Sequence, residues 1–316
     1  MTDRYINIFT DFGFKKVFGE EVNKDLLIDF LNELLKGKES IKDLTYKKTE
    51  YLGSNNVDRK AIFDLYCEND KGEKFIVEMQ KTKQKFFKDR ALYYSTFPIV
   101  EQAEQGDWNF ELKAVYTIAI LDFVFDDSDK DKTVVSHVQL MDTKKNKVFY
   151  PKLTFVYLQL PNFTKLEEEL ESKFEMWLYV LRNIHKLHGL PKRLQQRIFE
   201  KFFRTAEIAH FKQEERDAYE DSLKSYRDLK NSIDTSREEG LVEGETKGRI
   251  EGRIEGRIEG KIVGMNEGKI VGMNERSIDV ALKLMSKGFN DEEIAELSGL
   301  SIKEVADLRT KQASKP

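Results

Sequence analysis

The sequence predicts an α/β core, helices packed on a mixed sheet, followed by a helical C-terminal extension. Two observations carry this. Hydrophobic patterns in the first 125 residues run in the order helix, hairpin, helix, strand. Beyond residue 160 strand-like runs give way to charged helical stretches and a glycine repeat.

The first helix is Asn23 to Lys36, where Leu26, Leu27, Phe30, Leu31, Leu34 and Leu35 recur at helical spacing and Gly37 supplies a stop. Two strand-like runs follow, Ala61 to Glu68 and Lys74 to Gln80, joined by the turn-like Asn69 to Glu73. A second helix is predicted from near Phe86 to Gln105, ending by Gly106. Lys113 to Phe123 is a short β-branched apolar run and reads as a buried strand, and Leu153 to Leu160 reads as another. Leu166 to Asn183 and Lys192 to Lys230 read as helices, broken at Gly189-Leu190-Pro191. The chain therefore divides into a core over 1–235, a repeat over 236–275 and a small helical tail over 276–316.

Composition narrows the function classes. Charged residues make up 35%, above the usual level of about 25%, yet the net charge is −4. A dedicated nucleic-acid coat is basic, so any nucleic-acid contact must come from a local patch. Cys67 is the single cysteine, which excludes an intramolecular disulfide. No signal-like or membrane-length apolar run occurs, so the expectation is a soluble cytoplasmic protein.

The hairpin carries the chemistry. Strand side chains alternate between faces. Phe63, Leu65, Cys67, Phe75, Val77 and Met79 form one wholly apolar face, read as core. The other face holds Ile62, Asp64, Tyr66, Ile76, Glu78 and Gln80. Pairing Glu68 with Lys74 across the turn sets Asp64 opposite Glu78, with Cβ atoms about 5 Å apart. Two carboxylates that close repel, and a hard divalent ion such as Mg²⁺ resolves the conflict through oxygen ligands. The Met79 carbonyl is a further candidate oxygen. Gln80 can orient water but is no base, so the metal would have to acidify the water itself. The plainer reading is a polar face open to solvent.

In order along the chain stand TDFGFKKVFG (Thr10 to Gly19), a leucine-rich helix, FDLYCENDKGEKFIVEMQ (Phe63 to Gln80), DRALYYS with Arg90, Tyr93 and Tyr94, and AVYTIAILDF. This ordered set resembles the PD-(D/E)XK nuclease family transposases, also called the recombination-promoting nuclease family, over roughly residues 5 to 235. The resemblance implies a restriction-endonuclease-like fold and Mg²⁺-dependent cleavage of DNA, with Mn²⁺ as a substitute. It assigns Asp64 and Glu78 to the metal and puts Gln80 where the wider superfamily has a catalytic lysine. It also asks for an acid from the first helix, for which Glu33 is the candidate and Asp29 the alternative. Asp11 and Lys15 belong to the N-terminal motif, where a capped helix start with Phe12, Phe14 and Phe18 as core is the competing reading.

Lys81, Lys83, Lys85, Lys88 and Arg90 follow directly and are candidate phosphate contacts, against the reading of a solvated loop and helix start. Arg90 and Tyr94 share a helical face and can instead support the site. His185 and His188 lie three apart on a predicted helix without a third ligand, and read as surface. Trp108 and Trp177 read as core.

Glycine recurs at every fourth position from Gly240 to Gly272. Each costs a helix about 1 kcal/mol relative to alanine. Close packing against a second copy can offset that cost, so a homo-oligomer is one reading and a partly helical linker the other. In the tail, Gly288 stops a helix over Arg276 to Lys287, Asn290 and Ser301 cap two short helices, and Gly299 separates them. Their layout is like a helix-turn-helix, but Lys303 and Arg309 against Glu304 and Asp307 make a poor DNA reader, which favours a packing unit. Two functional classes stay open: a DNA endonuclease tied to recombination or mobile elements, and a non-catalytic, self-associating binding module. A nuclease acting on RNA is a third.

Overall fold

The computed structural model describes residues 3–51, 61–103, 109–125 and 132–313. Contacts divide the chain into two units, Met1–Ile233 and Asp234–Pro316.

In the first unit, helices α1 (Asp11–Phe18) and α2 (Lys24–Leu34) precede strands β1 (Leu44–Tyr46), β2 (Glu50–Tyr51), β3 (Ala61–Ile62), β4 (Leu65–Asn69) and β5 (Lys74–Gln80). Then come α3 (Phe87–Val100), β6 (Val115–Leu121), β7 (Val135–Asp142), β8 (Lys147–Gln159), α4 (Lys173–Asn183) and α5 (Arg197–Ala206), and α6 (Gln213–Ser286) begins. Six strands form one mixed sheet in the order β1-β4-β5-β6-β8-β7. β5, β6 and β8 are parallel, and their C-terminal residues Gln80, Leu121 and Gln159 share one register line. β2 and β3 form a separate ribbon.

Alternation sends Phe75, Val77, Met79, Ile118, Ile120, Val156 and Leu158 into the larger core, with residues of α1, α2, α4 and α5. Trp177 lies at its centre, fully buried, with Phe30 and Phe199 at ring distances of 5.7 and 5.0 Å. The opposite sheet face packs on α3 through Phe87 and Ala91 beside Leu121 and Tyr157.

The hairpin keeps the expected register, with Glu68 opposite Lys74 and Leu65 opposite Val77. Its apolar face needs one correction. The strand breaks at Asp64, and Phe63 turns to the other side, against Tyr66, Ile76, Tyr94 and Phe97. Nor is the second face open to solvent: Tyr66 and Ile76 are fully buried there. The predicted helix over Lys192 to Lys230 is also interrupted. The N-terminal segment bonds across the gap, Ile6 N–H to the Ala206 carbonyl (3.0 Å) and Ile208 N–H to the Arg4 carbonyl (3.1 Å). α3 is described to Ala103 with its helix ending at Val100, and Trp108 with the predicted end at Gln105 lies outside the described residues.

In the second unit, helix α6 carries the repeat, and every residue from 234 to 276 is exposed. A Cβ added at any repeat glycine would meet nothing within 4 Å. α7 (Asp291–Ser298) is capped by Asn290, α8 (Ile302–Ala313) follows, and Gly288 and Gly299 take positive φ at the stops. Ala281, Met285, Ile294, Leu300 and Val305 make a small core. Arg309 is tied to Asp291 at 2.7 Å, a packing role. Among the described residues, no helix is long and apolar enough to cross a membrane.

Emptying the Trp177 site should cost about 3–5 kcal/mol, the range for removing a large buried aromatic. Urea unfolding of Trp177→Ala checks this, and a loss below about 1 kcal/mol would show the core to be loose there.

Candidate active site at the Asp64 bend

The bend between β3 and β4 exists because Asp64 binds backbone instead of continuing a ladder. Its Oδ2 accepts the Met79 N–H at 2.8 Å, while its own N–H donates to Glu78 Oε1 at 3.1 Å. The two carboxyl groups are thus clasped reciprocally across the hairpin. Burial pushes the Asp64 carboxyl above its usual range. Burial, and then the Asp64 charge, push Glu78 up to about 8. A pair held this way is short of positive charge, and its hard carboxylate oxygens suit a divalent cation. Among the described residues no third His, Cys, Asp or Glu joins them in a metal-binding group. Other ligands must come from backbone, such as the Met79 carbonyl, or from water.

Gln80, nearly buried, follows on the same strand face as Glu78. Its Oε1 accepts from Arg90 Nη2, and its Nε2 donates to the Thr82 carbonyl at 3.1 Å. Arg90 also donates to Gln84 Oε1, and its guanidinium lies over the rings of Phe87 and Tyr94 at 5.4 and 5.8 Å. The Arg90 fork is thus engaged within the protein, on Gln80 and Gln84. Lys85 and Lys88 rest over Phe86 and Phe125 at 5.5 and 4.8 Å, and Lys83 lies in the segment leading to α3. Lys81 also acts on this site: burial pulls its ammonium down, while Asp11 and Asp64 act against that.

The N-terminal motif packs as core and also reaches this site. Thr10 caps α1 by accepting from Gly13 N–H, and Phe14 and Phe18 are buried. Gly13 is required, since a Cβ there would stand 2.3 Å from the Asn7 carbonyl oxygen. Asp11 and Lys15, paired at 3.1 Å, act electrostatically on Asp64, and Lys15 acts on Glu78. The two readings of this motif are compatible, a capped helix start whose Asp11 and Lys15, four apart on one helical face, act on the carboxyl pair. Glu33 is not brought to the pair by any contact among the described residues. Asp29 is occupied elsewhere, accepting from Trp177 Nε1 at 2.8 Å and from Lys173. The predicted helix does not carry both histidines: His185 stands in the short helix Ile184–Lys186 and His188 lies beyond it, and among the described residues they join no group of three or more metal-binding side chains.

A mixed sheet flanked by helices, with an acidic pair where the hairpin bends beside a parallel strand, defines a PD-(D/E)XK-type nuclease fold. The model of the PD-(D/E)XK nuclease family transposases matches residues 8–236, and the chain belongs to that family. No curated protein and no solved structure gave a significant match.

The raised Glu78 carboxyl makes a pH prediction for metal-free protein. Folding favours the protonated form, so this stability is complete below the unfolded value of 4.5 and is lost as pH rises through about 8. Glu78→Gln should therefore raise the melting temperature in EDTA at about pH 9 and leave it nearly unchanged at about pH 5. Equal effects at both pH values would contradict the buried charge pair.

Proposed function

We propose that this chain is a divalent-metal-dependent endonuclease that hydrolyses phosphodiester bonds in DNA, linked to recombination or mobile elements. The observation that supports it most is the clasp of Asp64 and Glu78, two carboxyls held together against their mutual repulsion. Asp64, Glu78 and the Met79 carbonyl would hold Mg²⁺, with Mn²⁺ as a substitute. When bound, such a cation supplies acidified water and offsets charge on the phosphate.

This chain's own residues do the rest. Gln80, fixed by Arg90, orients water through its amide and takes no proton. Lys81 and Lys15 add positive charge beside the pair, and Lys83, Lys85 and Lys88 contact phosphates along the approach. Asp11, on the electrostatic proximity described above, is the acid from an N-terminal helix in place of Glu33. The core over 1–235 holds the chemistry. The repeat over 236–275, with exposed Ile250, Ile254 and Ile258 beside open glycines, supports homo-oligomer formation, and the tail over 276–316 packs as a helical unit.

A second reading has its own observation. Gln80 spends both amide atoms inside the protein, on Arg90 and Thr82. A fold with that residue engaged suits a weak or inactive nuclease that binds DNA or protein. Supercoiled-plasmid cleavage separates the two. The nuclease reading expects nicking with Mg²⁺, none with EDTA, and a loss beyond about 100-fold for Asp64→Ala, the upper end of what removing even an outer partner of a metal ligand costs. Binding without cleavage under Mg²⁺ or Mn²⁺ moves the assignment to the binding module. Faster cleavage of single-stranded or duplex RNA in competition moves it to RNA.

A further inference from the structure

A cluster of cations lies on the same sheet edge as the clasp but outside the hairpin. The parallel strands β5, β6 and β8 end together, so whatever follows Gln80 and Leu121 stands at one edge. Asp122 is the residue after β6, and its N–H donates to the Gln80 carbonyl at 3.0 Å. Neighbouring strands are about 4.8 Å apart, which places Asp122 one strand from the end of the catalytic hairpin. Its carboxylate accepts from Tyr226 Oη at 3.1 Å, from the first part of α6. Lys230 is one turn further along the same face of α6. Arg182 stands in the last turn of α4, and Lys186 four residues beyond it.

All three cations act on the half-buried Asp122 carboxyl. Burial raises it most, the Tyr226 hydroxyl lowers it, and Lys230, Lys186 and Arg182 lower it in turn. None of the three forms an ion pair or a side-chain hydrogen bond among the described residues. Asp3 is an acid near the group, felt by His185, and its carboxylate stands 4.0 Å from Arg227. The balance is positive, on a chain whose net charge is −4. Complementing the C-terminal end of a helix accounts for Arg182 and Lys186. It does not account for Lys230, which stands inside a helix running to Ser286.

We propose that Arg182, Lys186 and Lys230 form a second phosphate-binding station, which holds the nucleic-acid backbone where it leaves the Asp64–Glu78 site. The inference deepens the nuclease reading and rests on DNA being the ligand. Asp122 and Tyr226 are positioning residues that set the cations around one half-buried carboxylate. The backbone passes from Lys81, over the ends of β5 and β6, to α4 and α6.

The test is binding of a labelled duplex oligonucleotide by the full chain in EDTA, read by fluorescence anisotropy over a salt series. Three proteins are compared. One is wild type, and one is Arg182→Ala with Lys186→Ala and Lys230→Ala. The third is a charge-matched control, Lys144→Ala with Lys145→Ala and Lys147→Ala, in the β7–β8 turn at the opposite ends of the strands. Each phosphate contact contributes about 0.9 to the slope of log K against log salt. The station variant should lose at least tenfold in affinity at low salt and flatten the slope by about 2–3, while the control keeps the wild-type slope. Equal loss in both variants, an unchanged slope in the station variant, or no duplex binding by wild type would overturn the proposal. Should the triple variant fail to fold, Lys186→Ala with Lys230→Ala, both exposed, replaces it, with a slope change of about 2 expected. Because the readout needs no cleavage, it separates from the nuclease reading. A chain that binds through these residues and cuts nothing refutes the nuclease and keeps the station.

Discussion

The structure turns on the clasp between Asp64 and Glu78. Each carboxyl engages backbone N–H at or beside the other's position, at 2.8 and 3.1 Å. The clasp breaks the strand at Asp64 and thereby reverses Phe63 onto the α3 side. It also fixes where two charges stand close in a partly buried setting, which is costly unless a cation or protons compensate. The geometry of the hairpin and the demand for a counter-charge are one constraint.

Several cations act on that constraint and on its neighbour Asp122. Arg90 is drawn inward to hold Gln80 and stacks on aromatic rings, so its charge serves positioning. Lys15 and Lys81 reach the pair electrostatically from α1 and from the end of β5. Lys230, Lys186 and Arg182 act electrostatically on Asp122, the residue after the neighbouring strand. An acidic chain can approach a polyanion when its positive charge is concentrated on one sheet edge.

Much of this was legible in the sequence, and the reasons are physical. The hairpin register followed from turn length and from the period of two, because Glu68 and Lys74 close a five-residue loop. The caps at Asn290 and the stops at Gly288 and Gly299 followed from local chemistry that needs no tertiary partner. What was not legible depended on contacts distant in sequence. β7 is an edge strand with no buried residue, so it lacks the apolar run that marks buried strands. The bend at Asp64 interrupts strict alternation, which a periodicity argument cannot anticipate. Asp11 and Lys15 act on the hairpin from α1, a relation distant in sequence, whereas Glu33 was a candidate through the resemblance's call for an acid from the first helix. The repeat is helical against its glycine content, with residues 234 to 276 all exposed.

The most direct test of the central claim is Mn²⁺ binding, followed by electron paramagnetic resonance, to wild type and to Asp64→Asn and Glu78→Gln. Both variants remove one charge and keep the side-chain shape. The account predicts saturable binding to the wild type and its loss in each variant while both remain folded. Equal Mn²⁺ binding by all three would show that the clasped carboxyls are a structural brace and that any metal chemistry lies elsewhere.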